Sequence, residues 1–446
     1  MKTLKNSIVY TSIAAILYSY ASTVYLGNYY RITELLNAQS AELYMMRIGY
    51  FLQALGMFLY YFLYRKYTKK FNSKYSSVVI VALSIPLTCI VQTSPNVNIL
   101  IFASFFFNLI TGMIIEMYLV KLYFYVSHKH LALCYGIAYA FGSIFTFLTT
   151  YFDGGVFMES PEMTVIYIIM ATLAICLLIK GSDNEHNDSY QVLTNRSKKY
   201  ILLLSLCIVF ATVVMALGDG IYNFGRWESD ADIRIVKAFY AIGLILAGFI
   251  FDKNRRVGQI LTVSFLSYYI ISAFLVNNVI SASMMMSLGY FFMSFLSVYR
   301  YITIVDIVDE YPKYIPFVGF GLMISRVVEG LTCTLMMIFP LSLPYHIIVT
   351  LLFYSPVVVL LLLTDSIKYS SNNNDEQSRY NDFVALYNLT SREQEICKLI
   401  LSNSSDDEIA NALYISKPTV RFHVSNIFKK LNIKSRNDIK KLFKNI

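Results

Sequence analysis

The residues best suited to chemistry sit at the two extremes of polarity in this 446-residue chain. From Ser416 onward there are nine Lys and Arg and a single acid, Asp438. That imbalance is the electrostatic footprint a phosphate backbone requires. A solvated basic tail would show the same charge count. The second set lies inside long apolar runs, where an ionisable group is expensive at bilayer depth and therefore marks a site. It comprises Glu116, near the middle of its run, with Arg326 at similar depth in a later one and Glu329 three residues on. The three-residue spacing puts Arg326 and Glu329 on one helical face. Two readings are open for that pair, a ligand site and a structural ion pair closing a bundle.

The basic end must be held by something, and its spacing predicts four short helices between Leu389 and Ile446. Thr390 with Glu393 and Ser405 with Glu408 form two capping boxes. Ser416 caps a third helix, whose first turn tolerates Pro418 because those N–H groups lack helical partners, and Ser435 caps a fourth. Ile396, Leu399 and Ile400 share a face. Ile409, Ala410, Leu413, Ile415 and Val420 complete a small core that Val424, Ile427 and Leu431 extend along the third helix. The short SNSS and YIS connections suit a helix-turn-helix at about Asp406 to Ser425.

The ordered elements LTSRE (389–393), EIA (408–410), L-x-IS (413–416), TV-x-x-H (419–423), NI (426–427), KL (430–431) and SR (435–436) resemble the LuxR/GerE family of four-helix DNA-binding domains. Two positions depart from the family pattern: Asn403 replaces a usual glycine, and Asp406-Asp407 stands where Asn-Lys is frequent. The resemblance implies that the third helix enters the major groove of double-stranded DNA. Lys417, Thr419, Val420, Arg421, Phe422, His423, Ser425, Lys429 and Lys430 are the expected DNA-binding residues. Among them, Arg421 fits guanine O6 and N7, Phe422 a thymine methyl, and Ser425 either strand. Lys417, Thr419, His423, Lys429 and Lys430 suit the backbone, which positions rather than specifies. His423 is open to a plainer reading, a helix-surface hydrogen bond. Ile439, Leu442 and Phe443 correspond to the family's dimer surface, so a dimer on paired half-sites is expected.

Everything before this stretch has the composition of a membrane protein: the chain is 57% hydrophobic and 15% charged, with a mean hydropathy of +0.54. Twelve runs long enough to span a bilayer are expected, at 8–27, 43–64, 76–93, 98–126, 131–152, 163–180, 200–222, 232–251, 257–277, 281–305, 315–338 and 342–364. No cleavable signal peptide is expected at the start. With the N-terminus inside, the inner loops before the tail hold sixteen Lys and Arg. The outer ones hold three, Arg31, Arg226 and Arg234. This obeys the positive-inside rule and returns the C-terminus to the cytoplasm. The longest polar loop, 181–199, splits the spans six and six. That plan, with GFIFDKNRR at 248–256 standing one residue short of a known loop motif, resembles the major facilitator superfamily. The equivalent first-half loop, 64–74, is basic but lacks the motif's Gly and Asp.

The expected architecture is thus all-α. A transmembrane domain spans 1–364, a polar and flexible linker 365–388 in which Tyr380, Phe383, Val384 and Leu386 can start a short helix, and the DNA-binding domain 389–446. Arg47, Lys121, Asp219, Lys237 and Arg300 lie nearer span ends and are read as snorkelling. Tyr18, Tyr20, Tyr118, Tyr139 and Tyr290 can line a cavity or simply pack. The six Cys show no metal spacing and read as small core hydrophobes, and no metal, cofactor or catalytic residue is expected. The leading functional reading is a one-component transcriptional regulator tethered in a bacterial cytoplasmic (inner) membrane. A small-molecule sensor with Glu116, Arg326 and Glu329 at its ligand site is coupled there to sequence-specific DNA binding. The alternative is an active secondary transporter with an appended regulatory domain. A third reading makes the tail a protein-binding module, against which the basic third helix argues.

Overall fold

The computed structural model describes residues 4–67, 71, 73–151, 161–180, 195–224, 233–275, 282–310, 312–339, 342–402, 404–431, 433 and 435–444. Apolar runs in lipid can satisfy their backbone only within a helix or a closed barrel. Among the described residues the chain is helical, with no strand. The first half contains α1 (Leu4–Leu35), α2 (Ala38–Ala41), α3 (Gly49–Lys66), α4 (Lys74–Thr93), α5 (Val97–Tyr125), α6 (Leu131–Tyr151) and α7 (Pro161–Lys180). The second contains α8 (Asn195–Phe224), α9 (Ile233–Lys253), α10 (Arg255–Leu266), α11 (Tyr268–Leu275), α12 (Ala282–Glu310), α13 (Phe320–Ile338) and α14 (Leu343–Leu386).

Nine helices among the described residues are long and apolar enough to cross a membrane. The other expected spans fall on the π-helical segment Glu42–Ile48 with α3, on α6 and on α10–α11. Two of these are interrupted. A π-helical segment, Glu42–Ile48, joins α2 to α3, and Ser267 separates α10 from α11, its hydroxyl turned back onto the Ser264 carbonyl at 2.6 Å. Such interruptions are tolerated at membrane depth only where neighbouring helices re-satisfy the backbone.

Within this membrane unit, α3 crosses α5 and α6 crosses α9. Glycines set both crossings. A Cβ on Gly56 or Gly112 would overlap the Leu109 or Gln53 carbonyl of the facing helix, and a Cβ on Gly136 or Gly248 the carbonyl of Leu244 or Ala132. Small residues let helices approach where lipid supplies no hydrophobic drive for their association. The α6–α9 crossing explains the GFIFDKNRR stretch. The Asp252 carboxylate accepts the Ala132 and Leu133 N–H groups at 3.0 and 2.8 Å, capping the start of α6. Arg255 joins Asp252 (3.5 Å) to Asp306 (3.4 Å).

The chain divides into two compact units, Met1–Leu363 and Thr364–Ile446. The second contains α15 (Ser391–Leu401), α16 (Asp406–Leu413), α17 (Lys417–Leu431) and α18 (Arg436–Lys444). Both expected capping boxes are present, and Ser416 and Ser435 accept the Thr419 and Asp438 N–H groups at 3.3 Å. Asn403 lies outside the described residues. The turn between α16 and α17 passes through Tyr414 in the left-handed region, φ 52°.

Two expectations change here. The polar stretch from 365, expected to be flexible up to a short helix begun by Tyr380, Phe383, Val384 and Leu386, belongs throughout to helix α14, which runs to Leu386. That stretch contains no Pro or Gly, and an apolar helix precedes it, so propagation requires no new nucleation. The reader's core also begins earlier than Leu389. Phe383 is wholly buried, its ring 5.6 Å from that of Phe443, and the Tyr380 hydroxyl donates to the Gln394 carbonyl. Phe383→Ala is expected to cost about 3–5 kcal/mol. Proteolysis of the full chain in detergent across a temperature ramp should then show 389–446 cleaved more than ~10 °C earlier than in the parent.

Candidate functional site

In the second unit, the face of α17 follows directly from its period. Val420, Ile427 and Leu431 are buried in a core shared with Ile396, Ile400 and Ile409. Positions 417, 421, 425 and 429, one helical row, therefore point away from it. Arg421, Ser425 and Lys429 are exposed, Lys417 is half-buried, and Phe422 is 62% exposed beside them. An exposed phenylalanine next to an exposed arginine is poor design for water and good design for a base edge. Thr419 is half-buried, with its hydroxyl on Ser416 at 2.7 Å. His423, also half-buried, touches the Phe422 ring edge-on at 5.5 Å.

Three sequence-based assignments shift. Val420 is a core residue whose side chain reaches no surface. Lys430 closes the start of α15 instead of standing free for a phosphate: its Nζ donates to Glu393 Oε2 at 2.7 Å and to the Asn388 carbonyl at 2.9 Å. Burial raises the Glu393 carboxyl pKa, but the hydrogen bonds from Lys430 and Thr390 outweigh it and hold the group below its usual value. The bridge is therefore kept at neutral pH and lost only as pH falls through that lowered value. Third, Ile439 is wholly buried and Phe443 packs on Tyr380 and Phe383. These apolar residues of α18 thus serve the core of one chain, where a dimer surface was expected. Cys397 is also buried, its thiol pushed up to about 12, and so is unreactive.

The unusual Asp406-Asp407 pair has a role of its own. Asp406 accepts Arg436 and meets Arg421 Nε at 3.3 Å, and Asp407 meets Lys417 Nζ at 2.8 Å. The pairs with Lys417 and Arg421 are solvent-facing and weak, roughly 0–1 kcal/mol each, so a phosphate or a base can displace them.

The membrane unit contains a cavity of about 530 Å³, within the size range of small-molecule sites. Helices from both halves line it, through Tyr18, Ser22 and Tyr25 of α1, Tyr50 and Gln53 of α3, Tyr139 of α6, Lys237 and Tyr240 of α9, Tyr290 and Arg300 of α12, and Arg326 and Glu329 of α13. Arg326 Nη1 lies 3.1 Å from Glu329 Oε2, the i, i+3 pair anticipated from sequence, and Arg300 Nη1 joins from α12 at 3.0 Å on Oε1. The Arg326 guanidinium also stacks 4.6 Å over the Tyr50 ring.

Glu116 is a correction. It does not line the cavity; its buried Oε1 accepts the Gly319 N–H at 2.9 Å, capping the start of α13 from α5. Arg300 and Lys237 are cavity residues that were read as snorkelling. Of the five tyrosines considered, Tyr18, Tyr139 and Tyr290 line the cavity. Tyr20 is instead tied to Ser84 and Thr88 at 2.8 and 3.0 Å, and Tyr118 is buried elsewhere in the bundle.

Comparison with known proteins divides along the same boundary. Residues 387–443 match the model of the bacterial regulatory proteins, luxR family. The spore germination protein GerE of Bacillus subtilis is 45% identical over 49 residues, which are 11% of this chain and 66% of that protein. The CsgBAC operon transcriptional regulatory protein of Escherichia coli is 43% identical over 58 residues, 13% of this chain and 26% of that one. The chain thus spans just under two thirds of the first relative and about a quarter of the second. The crystal structure of a variant of the E. coli fucose:proton symporter FucP superposes with a TM-score of 0.59 at 11% identity, covering 82% of this chain and 99% of that one. A second FucP structure, a major facilitator superfamily transporter in the outward conformation, gives 0.59 at 10% identity, over 80% and 99%. The chain therefore joins a helix-turn-helix domain of the luxR family to a multi-pass membrane domain with the major facilitator fold.

Proposed function

We propose that this chain is a membrane-tethered one-component transcriptional regulator. Its membrane domain binds a small molecule, and that binding changes how the C-terminal domain engages double-stranded DNA. The observation that carries the reading is the pairing, in one chain, of an outward-facing Lys417–Arg421–Ser425–Lys429 row with a membrane-unit cavity lined by charged and aromatic side chains. A ligand shifts such a system only if it binds one conformation of the membrane domain better than another. The excess of Lys and Arg in alternate loops supports cytoplasmic N- and C-termini in a bacterial inner membrane. Two copies acting on paired half-sites suit the family, with contacts drawn from outside the α18 core residues.

The test uses the full chain in lipid nanodiscs with a duplex from upstream of its own coding region. Binding should exceed that to a scrambled duplex of equal length by at least tenfold at 150 mM salt. Equal binding to both duplexes at every salt concentration would remove the regulatory reading. Uptake of candidate ligands into vesicles, with no specific DNA binding, would instead establish the transporter.

A further inference from the structure

We infer that the membrane cavity is a site for an organic anion, a molecule with one or two acidic groups on an apolar or aromatic body. The inference deepens the sensor reading and rests on it. Its basis is an imbalance of buried charge. Three cations line the cavity, Lys237, Arg300 and Arg326, and Glu329 is the only acid lining it among the described residues. Glu329 is already divided between the two arginines at 3.0 and 3.1 Å. Its two oxygens leave nothing for Lys237, whose Nζ lies 5.2 Å from the centroid of the Tyr290 ring. An aromatic face supplies part of what a buried ammonium needs, and a counter-anion supplies the rest.

The hydrogen-bonding groups agree with this. Arg300 and Arg326 each keep a buried Nε–H without a partner among the described residues, and the Thr111 and Ser143 hydroxyls are likewise without one, all on cavity-lining residues. Arg300 and Thr111 are each only 3% exposed as residues. Buried polar groups of native proteins are ordinarily satisfied. A cluster of spare donors around two guanidinium groups is the arrangement that receives a carboxylate or phosphate, with the fork geometry that arginine gives such groups. The remaining wall is Tyr18, Tyr139, Tyr240 and Tyr290 with Met215 and Met293, a surface for the ligand's flat or apolar body. A cationic ligand would add like charge to a site already in excess of it, and a neutral one would leave the excess standing.

The experiment is thermal stabilisation of the full chain in detergent with a matched panel. It contains aromatic and aliphatic mono- and dicarboxylates, phosphate monoesters of the same bodies, and the neutral amide and the amine corresponding to each. At least one acid should stabilise the protein where its amide and amine do not, and the carboxylate and phosphate arms identify which acid group is taken. Lys237→Gln should weaken that binding at least tenfold while Lys237→Arg retains it. Lys237 holds no ion pair among the described residues, so the substitution leaves the Arg300–Glu329–Arg326 cluster in place. Stabilisation by amides or amines alone, by no member of the panel, or equally in Lys237→Gln would overturn the inference. If an acid binds but leaves affinity for the upstream duplex unchanged, the anion site stands and the sensor reading fails.

Discussion

Arg421→Ala is expected to lower affinity for the cognate duplex about 5- to 150-fold, the worth of one bidentate base contact at roughly 1–3 kcal/mol. It should also flatten discrimination at one base position. The residue is exposed on α17 and, among the described residues, its one ion pair is the 3.3 Å contact with Asp406, so truncation leaves the core untouched. Lys429→Ala, on the same row, should weaken all duplexes alike and reduce the salt slope by about one. The contrast between the two is the informative part. A titration of both variants against a duplex set substituted one position at a time, at two salt concentrations, separates reading from attraction. Equal losses on every duplex for both would make the row a non-specific basic face.

Glu329→Gln should be among the most damaging single changes in the membrane domain. Its carboxylate neutralises Arg300 and Arg326 at once, all three largely withdrawn from solvent. Removing one partner of a buried charge network costs about 3–5 kcal/mol, because the remaining charges are left uncompensated. The same physics predicts the repair. Replacing Arg300, Arg326 and Glu329 together by Met removes the charges and keeps the volume, and should recover most of the stability. Thermal midpoints of the parent, Glu329→Gln and the triple variant in one detergent supply the comparison. A triple variant as unstable as Glu329→Gln would mean that shape, not charge, is what the cluster provides.

The reader domain was legible in sequence because every device in it is local. A capping box spans four residues, and the buried row of α17 repeats at helical spacing. Phe383 was the exception: its partner, Phe443, is sixty residues away, and only tertiary contact reveals that α14 contributes to that core. Nine of the twelve expected spans coincide with helices long and apolar enough to cross a membrane among the described residues, and they were legible for a different reason, since bilayer thickness sets their length. What depth along a helix does not reveal is facing. Glu116, expected near mid-membrane, caps Gly319 instead of lining the cavity. Arg300 was assigned to a span end because α12 was expected to stop at 305. The helix runs to Glu310, which carries Arg300 well inside and onto Glu329. Lys237 lies one turn into α9 as anticipated, and the cavity reaches it there. Asp406 stood out in sequence only as a departure from the family pattern, and its hold on Arg421 and Arg436 needed the fold.

The central claim is that a chain fixed in the membrane occupies specific DNA. The most direct measurement is a chromosome-wide map of DNA crosslinked to the full chain in intact cells, taken alongside fractionation of the same culture. The account predicts that all the protein is in the membrane fraction, that bound sites are discrete and share a motif, and that Arg421→Ala erases them at unchanged protein level. Uniform background binding, or discrete sites that persist in Arg421→Ala, would contradict it.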